Sequence, residues 1–435
     1  MTHHWSGRRG FRRLGVSHLL GVILALCAGG PALPAQTLDL QFKHLSIRDG
    51  LSQSIVDAMI QDRKGFVWFV TEDGLNRFDG YRFEVFKHDA QDPHSLVHNE
   101  IKCIAEGRDG ILWVGSFSRG LERFEQATGR FTHYQHDPTV DSSLSNDIVW
   151  SVLEDREGRV WVGTGAGLDR LDRATGKFVH YRLGPEGAGP MERDDVRALL
   201  QDQGGALWVG TAAGGLCRLD PATGASLRFT HDAGDPDSLS HDDVRALARD
   251  RDGAVWVGTR GGGLDRLDPM TGVFRHFRHA PRDPRSLGAD IVLALTLDDR
   301  GNLWVGTDGG GLERYDREKG DFVRYTHDPY RPGSLASDRV YSLLQDRSGI
   351  LWVGTYGAGV SRCELNRKQF LHFRHDPTDP DSLAHDIVWS FCEDPSGFLW
   401  IGTNDGGLDR FDRATGRFAH HRHDPGNPRS LGHNS

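Results

Sequence analysis

Eight positions in the chain hold side chains suited to gripping a ligand. They are Asp57, Lys102, Trp150, Arg197, Arg245, Leu293, Tyr341 and Trp389, each eleven residues before a further tryptophan. Two tryptophans, a tyrosine and two arginines in one set suit stacking plus bidentate capture of an anionic or sugar-like ligand. The next residue is always small: Ala58, Cys103, Ser151, Ala198, Ala246, Ala294, Ser342 and Ser390. Side chains alternate along a strand, so small residues facing a crowded wall leave the variable set facing open space. A second variable set follows each Gly-Thr-type step: Glu72-Asp73, Phe117-Ser118-Arg119, Arg260, Asp308, Tyr356 and Asn404-Asp405. Arg119, Arg260 and Tyr356 are the candidates there, because recognition usually sits on loops held by a rigid scaffold.

Other repeated residues read as scaffold. Arg77, Arg123, Arg170, Arg218, Arg266, Arg314, Arg362 and Arg410 recur in every copy, and Asp62, Asp155, Asp202, Asp250, Asp298, Asp346 and Asp394 in all but the copy holding Gly107. A group needed equally everywhere is structural. Asp is expected to cap a turn, and Arg to pair with a carboxylate or carbonyl between copies. His88, His136, His231, His279, His327, His375 and His423 occur one per copy. A metal needs several ligands within about 2.0–2.2 Å of one ion, so no metal site is assigned and loop-fixing hydrogen bonds are expected. Cys103, Cys217, Cys363 and Cys392 read as isolated buried thiols, with Cys363 and Cys392 the one pair worth testing for a disulfide. No Gly-x-Ser-x-Gly elbow, His-Glu-x-x-His or phosphate loop is present, so no catalytic residue and no cofactor is assigned.

What positions these residues is a repeat. Trp68, Trp113, Trp161, Trp208, Trp256, Trp304, Trp352 and Trp400 are spaced 45, 48, 47, 48, 48, 48 and 48 residues apart. In one copy, Val340 to Asp346 is an apolar run, Leu351 to Thr355 a second strand, Val360 to Cys363 a third and Phe370 to His375 a fourth, with glycine turns between the first three. Four short strands at this period make a propeller blade, with the tryptophan as the apolar payload between sheets. The fold class is therefore all-β, a β-propeller of four-stranded blades with eight sequence repeats. The first strand of each blade lines the central channel, and the turn after Gly-Thr shares a rim with the long connection between blades.

The lone segment Leu40 to Leu45 precedes the first repeat and looks like an outer strand. In a seven-bladed ring it completes the blade of Val340 to Cys363, and Phe370 onward starts a second ring. One eight-bladed ring is the alternative. The residue seventeen before each tryptophan is apolar (Leu51, Leu96, Leu144, Met191, Leu239, Leu287, Leu335, Leu383), and Ser430-Leu431 repeats that start. Residues 36–435 are thus expected to be propeller repeats truncated at the C-terminus.

The stretch from Asp346 to Thr355 with Gly359-Val360, and its copy from Asp155 to Thr164 with Gly167-Leu168, resembles the repeat of two-component regulator propellers. The resemblance runs from Leu40 to the end. It implies the periplasmic sensor region of an inner-membrane receptor whose output is a histidine kinase, often hybrid, or a diguanylate cyclase; this chain contains neither. It also implies a small-molecule or oligosaccharide ligand, a homodimer in the full-length receptor, and membrane contact only through missing segments or an uncleaved signal. The rival readings are an exported interaction scaffold, a quinoprotein-like enzyme and a glycan-processing propeller. Quinoprotein propellers usually carry an adjacent cysteine pair, and no two cysteines adjoin here.

Composition agrees with an exported β protein. Among 435 residues, 52 lysines and arginines face 61 aspartates and glutamates, which argues against a nucleic-acid partner. The 55 glycines exceed the usual ~7% and suit turn-dense β structure. Arg8, Arg9, Arg12 and Arg13, the apolar stretch Leu14 to Cys27 and small residues up to Ala35 have the order of a signal peptide over residues 1–35.

Overall fold

The computed structural model describes residues 40–181, 183, 195–365, 373–377, 379–413 and 415–435. The signal read over residues 1–35, Met191 and Phe370 lie outside these. Among the described residues there is one short 3₁₀ turn, Ile47–Asp49, no α-helix, and no helix long and apolar enough to cross a membrane. Everything else regular is strand, in eight antiparallel four-stranded sheets. The chain divides into two compact units, residues 1–366 and 367–435.

The first unit is a closed ring of seven blades. The inner strands are Val56–Gln61, Ile101–Glu106, Val149–Glu154, Val196–Gln201, Val244–Arg249, Val292–Leu297 and Val340–Gln345. Each packs on the next, and the seventh packs back on the first. The seventh blade takes its fourth strand from the start of the chain: Lys43–Leu45 pairs antiparallel with Val360–Glu364, Lys43 opposite Arg362 and Leu45 opposite Val360. The seven-bladed reading therefore holds, and the eight-bladed one does not.

The second strands of the first six blades, such as Val160–Thr164, are buried at every position. Both faces of each sheet are covered by neighbouring blades, so the usual strand alternation disappears. The indole N–H of the repeated tryptophan needs an acceptor in this interior, and the turn aspartate supplies it: Trp161 Nε1 donates to Asp155 Oδ2 at 2.8 Å, and Trp352 Nε1 to Asp346 Oδ2 at 2.8 Å. Asp therefore does more than cap its turn. The repeated arginines do not chiefly link blades, contrary to expectation. Register places each opposite its own tryptophan, Trp256 opposite Arg266 for example; the Arg266 guanidinium lies 5.7 Å from the centre of that indole and pairs with Asp250 and Asp252 of its own blade.

The recurrent histidines fix loops as expected. His136 Nδ1 donates to the Leu144 carbonyl at 2.7 Å, and His327 Nδ1 to that of Leu335 at 2.7 Å. A second histidine set was not foreseen. His180 donates from Nδ1 to the buried Asp169 carboxylate at 2.6 Å and from Nε2 to the Asp141 carbonyl at 2.8 Å; His276 does the same with Asp265 and Pro236. A ring that donates from both nitrogens is an imidazolium. The hydrogen bond to Asp169 pushes His180 up to about 8, and the one to Asp265 raises His276 likewise. Folding thus favours the protonated ring: its contribution is full below the unfolded histidine range of roughly 6.5 and disappears as pH rises through the folded value. After discounting for the exposure of His180, about 1 kcal/mol is expected to be lost on going from pH 6 to pH 9. Comparing thermal melts of the protein and His180→Asn at both pH values checks this. The two should differ at pH 6 and converge at pH 9.

Among the described residues, Cys103, Cys217 and Cys363 are buried, whereas Cys392 is exposed. Cys363 and Cys392 form no disulfide, and Cys392 is not the buried thiol expected.

The second unit is one blade, Val388–Glu393, Leu399–Thr403, Gly407–Asp412 and Arg417–His421. It has a small core of Leu383, Ile401, Phe411 and Phe418. Trp389 and Phe391 on its inner strand are 71% and 67% exposed.

Candidate functional site

Each inner strand of the ring slips register by one residue at the same place. Val149 faces Thr164 and Ser151 faces Gly163, so Trp150 between them has no partner; the same shift sets apart Asp57, Lys102, Arg197, Arg245, Leu293 and Tyr341. The variable candidates are thus the extra residues of seven β-bulges, and a bulge re-aims the side chain it carries. The small residues that follow do form the wall. Ser342 Oγ donates to the Val56 carbonyl of the next blade at 2.8 Å. The facing glycine leaves no spare room: a Cβ on Gly258 would lie 2.6 Å from Val292 Cγ1.

The turn after the second strand closes onto the same spot. Phe117 N–H donates to the Glu100 carbonyl at 3.0 Å, Arg260 N–H to that of Asp243 at 2.8 Å and Tyr356 N–H to that of Arg339 at 3.0 Å. Each blade therefore presents three neighbouring variable positions at one mouth of the ring: the bulge residue, the turn residue, and the residue two before the bulge. The third set, with Glu100, Asp195, Asp243 and Arg339, was missed. Its signal was available, since it lies on the same alternating face as the bulge set.

The side chains at this mouth are matched in charge. Lys102 Nζ sits 3.3 Å from Asp57, 3.2 Å from Glu72 and 3.1 Å from Glu100. Burial pushes the Asp57 carboxyl up to about 6 despite that ammonium. Burial works against the charge of Lys102 too, but Asp57, Glu100 and Glu72 outweigh it and raise its pKa. Phe117 and Trp150 meet edge to face at 5.5 Å, and the Arg197 guanidinium lies 3.6 Å from the centre of the Trp150 ring. Arg197 also pairs with Asp195, and Arg245 grips both oxygens of Asp243. Burial, followed by repulsion from Arg245, lowers the Arg197 pKa. In the seventh blade Arg339 pairs with Asp308 at 2.6 Å and covers Tyr356 at 4.0 Å, while Tyr341 and Tyr356 meet at 5.1 Å.

Lys102, Trp150, Arg197, Arg245 and Tyr341 are thus assembled half-buried around one opening, with Tyr356 and Arg260 on its rim. Arg119 is at the exposed tip of the second blade's turn. Trp389 belongs to the second unit and has no place in this ring. Arg197 and Arg245 are not bare anion traps as expected, because each already holds an aspartate two residues earlier.

An all-β ring of tryptophan-marked blades, with variable residues gathered at one mouth, defines a repeat propeller. Residues 95–118, 143–166, 238–261, 286–309, 334–357 and 382–405 match the family described as the two component regulator propeller. These six windows are two component regulator propeller repeats, and each spans all three variable positions of its blade. The extracellular domain assigned to the hybrid two component system BT3049 of B. thetaiotaomicron is 28% identical, with a TM-score of 0.65, over 91% of this chain and 50% of that one. Histidine kinase P4 of Formosa agariphila is 42% identical over 65 residues, 15% of this chain and 5% of the kinase. This chain therefore spans about half of the first relative and a small part of the second. Virginiamycin B lyase of Staphylococcus aureus shares the fold at 14% identity, with a TM-score of 0.57, over 75% of this chain and 100% of that one. At that identity only the fold is common, and fold alone does not carry an activity.

Proposed function

We propose that this chain is the extracytoplasmic, ligand-reading input module of a bacterial signal-transduction receptor, feeding a histidine kinase or a diguanylate cyclase. The observation that carries the reading is the mouth. Seven bulges aim residues of different chemistry at one opening, while the surrounding scaffold repeats almost unchanged. Likeness to the extracellular domain of BT3049 supports a place outside the cytoplasm, here the periplasm, as part of an inner-membrane receptor. A small molecule or an oligosaccharide would enter the mouth and stack on Trp150 or Tyr341. The receptor would act as a homodimer, the ligand biasing two arrangements by no more than its differential affinity for them.

Alanine scanning separates the bulge residues from the rim. With a bound ligand in hand, alanine at Arg197, Arg245 and Tyr341 should each cost about tenfold or more in affinity. Unchanged affinity in all three would remove the channel as the site. The same result at Arg119, Arg260 and Tyr356 would remove the rim.

A further inference from the structure

The charges at the mouth are separated in space. On the first two blades three carboxylates, Asp57, Glu72 and Glu100, surround the single ammonium of Lys102. Each gives one oxygen to Lys102, whose three protons are then used, and keeps a second oxygen. On the fourth and fifth blades the excess is reversed: Arg197, Arg245 and Arg260 stand against Asp195 and Asp243. Arg260 is exposed and forms no ion pair among the described residues. Arg197 Nε is buried without a hydrogen-bond partner there. In a ring of seven, the pair of blades one and two lies across the opening from the pair four and five. Aromatic groups stand in both gaps between these arcs, Phe117 with Trp150 on one side and Tyr341 with Tyr356, beside the ion pair of Arg339 with Asp308, on the other.

Resting on the reading of this mouth as a ligand site, we infer that its ligand is a short peptide with free termini. Its ammonium faces the arc of Asp57, Glu72 and Glu100, its carboxylate faces the arc of Arg197, Arg245 and Arg260, and its side chains lie against the aromatic walls. A dicarboxylate would leave one charge against the acidic arc. A neutral ligand would desolvate both arcs without offering either a counter-charge, which is costly. A zwitterion long enough to reach across satisfies both and gains charge-assisted hydrogen bonds at each end.

Titration calorimetry on the full chain tests this with alanyl-tyrosyl-alanine, its N-acetyl form, its C-terminal amide and a neutral glucose tetrasaccharide. The free tripeptide should bind, and blocking either end should weaken it about tenfold or more. Arg245→Gln should erase the difference between acid and amide, and Glu100→Gln that between free and acetylated peptide. Glu100→Gln keeps the side chain's shape and Arg245→Gln keeps a shorter neutral hydrogen-bonding group, and a thermal melt of each checks folding. Equal affinity for free and blocked peptides overturns the inference, as does absence of peptide binding at millimolar concentration. If the tetrasaccharide alone binds, and Trp150→Ala abolishes it, the peptide inference falls while the mouth stands as the ligand site. If neither probe binds, the peptide inference falls and the broader reading loses support as well.

Discussion

Deleting residues 40–46 should open the ring and destroy its single cooperative unfolding transition. The segment supplies the fourth strand of the seventh blade and two of its core side chains. Leu40 and Phe42 are 8% and 5% exposed and pack with Trp304, Leu335, Val353 and Cys363. Phe42 also meets Tyr325 edge to face at 6.5 Å, and its N–H donates to the Gly333 carbonyl at 2.9 Å. Nothing else in the ring joins its last blade to its beginning in this way. Phe42→Ala alone should cost about 3–5 kcal/mol, the usual range for emptying a buried aromatic site. Loss of the whole strand removes an amount comparable with the ~5–15 kcal/mol that holds a typical domain folded, and exposes an unpaired sheet edge to aggregation. Denaturant titration followed by tryptophan fluorescence checks both. A truncated chain with an unchanged midpoint would mean that the ring does not close through this strand.

Asp250→Ala should be the most costly single change among the turn aspartates. Asp250 accepts from Trp256 Nε1 at 3.0 Å and from both terminal nitrogens of Arg317 at 2.7 Å, and Arg317 belongs to the next blade. Removing the carboxylate leaves a buried indole N–H and a guanidinium without their acceptor. A loss of about 2–4 kcal/mol is expected for such a pair, one partner of which is partly exposed. Arg317, aided by the Trp256 N–H, holds the Asp250 carboxyl below its ordinary value against the pull of burial. The contribution is therefore present above the unfolded aspartate range of roughly 3.9 and is lost as pH falls through the folded value. Melts of the protein and the variant at pH 7 and pH 3 should show the gap closing in acid. The second blade offers a natural comparison: it has Gly107 where the aspartate should be, and Trp113 Nε1 has no acceptor among the described residues. Arg173 lies 5.5 Å from the centre of that indole ring and pairs with Glu154 at 3.1 Å. A Cβ on Gly107 would lie 2.4 Å from Glu154 Oε2, so Gly107→Asp must displace that carboxylate before it can cap the turn.

The blade, its period and the closing role of Leu40 to Leu45 were legible in the sequence because each depends on local pattern. Tryptophan spacing marks the blade, and a spare outer strand at one end requires an incomplete blade at the other. The bulge residues were legible through comparison within the chain, where a variable position precedes a small one in all eight copies. Charge pairing at the mouth was not, because it is made in space. Asp195 reaches Arg197, and Asp308 reaches Arg339, only after a bulge turns one side chain and a turn folds another over it. The arginine ladder was misread for a related reason: its partner is the indole directly across the sheet, and only register reveals that. No local pattern announces the exposure of Cys392 and Trp389.

Recognition is expected at the bulged mouth and not on the opposite rim. That opposite rim has a competing feature, a cleft of about 570 Å³ lined by Glu157, Arg159, Arg218, Asp220 and Leu227 among others. Amide hydrogen exchange of the full chain, with and without alanyl-tyrosyl-alanine or the glucose tetrasaccharide, distinguishes the two faces. The account predicts slowed exchange at residues 100–102, 148–150, 195–197, 243–245 and 339–341 with whichever probe binds. Protection confined to residues 157–159, 204–206 and 218–227, with the mouth unchanged, would contradict it.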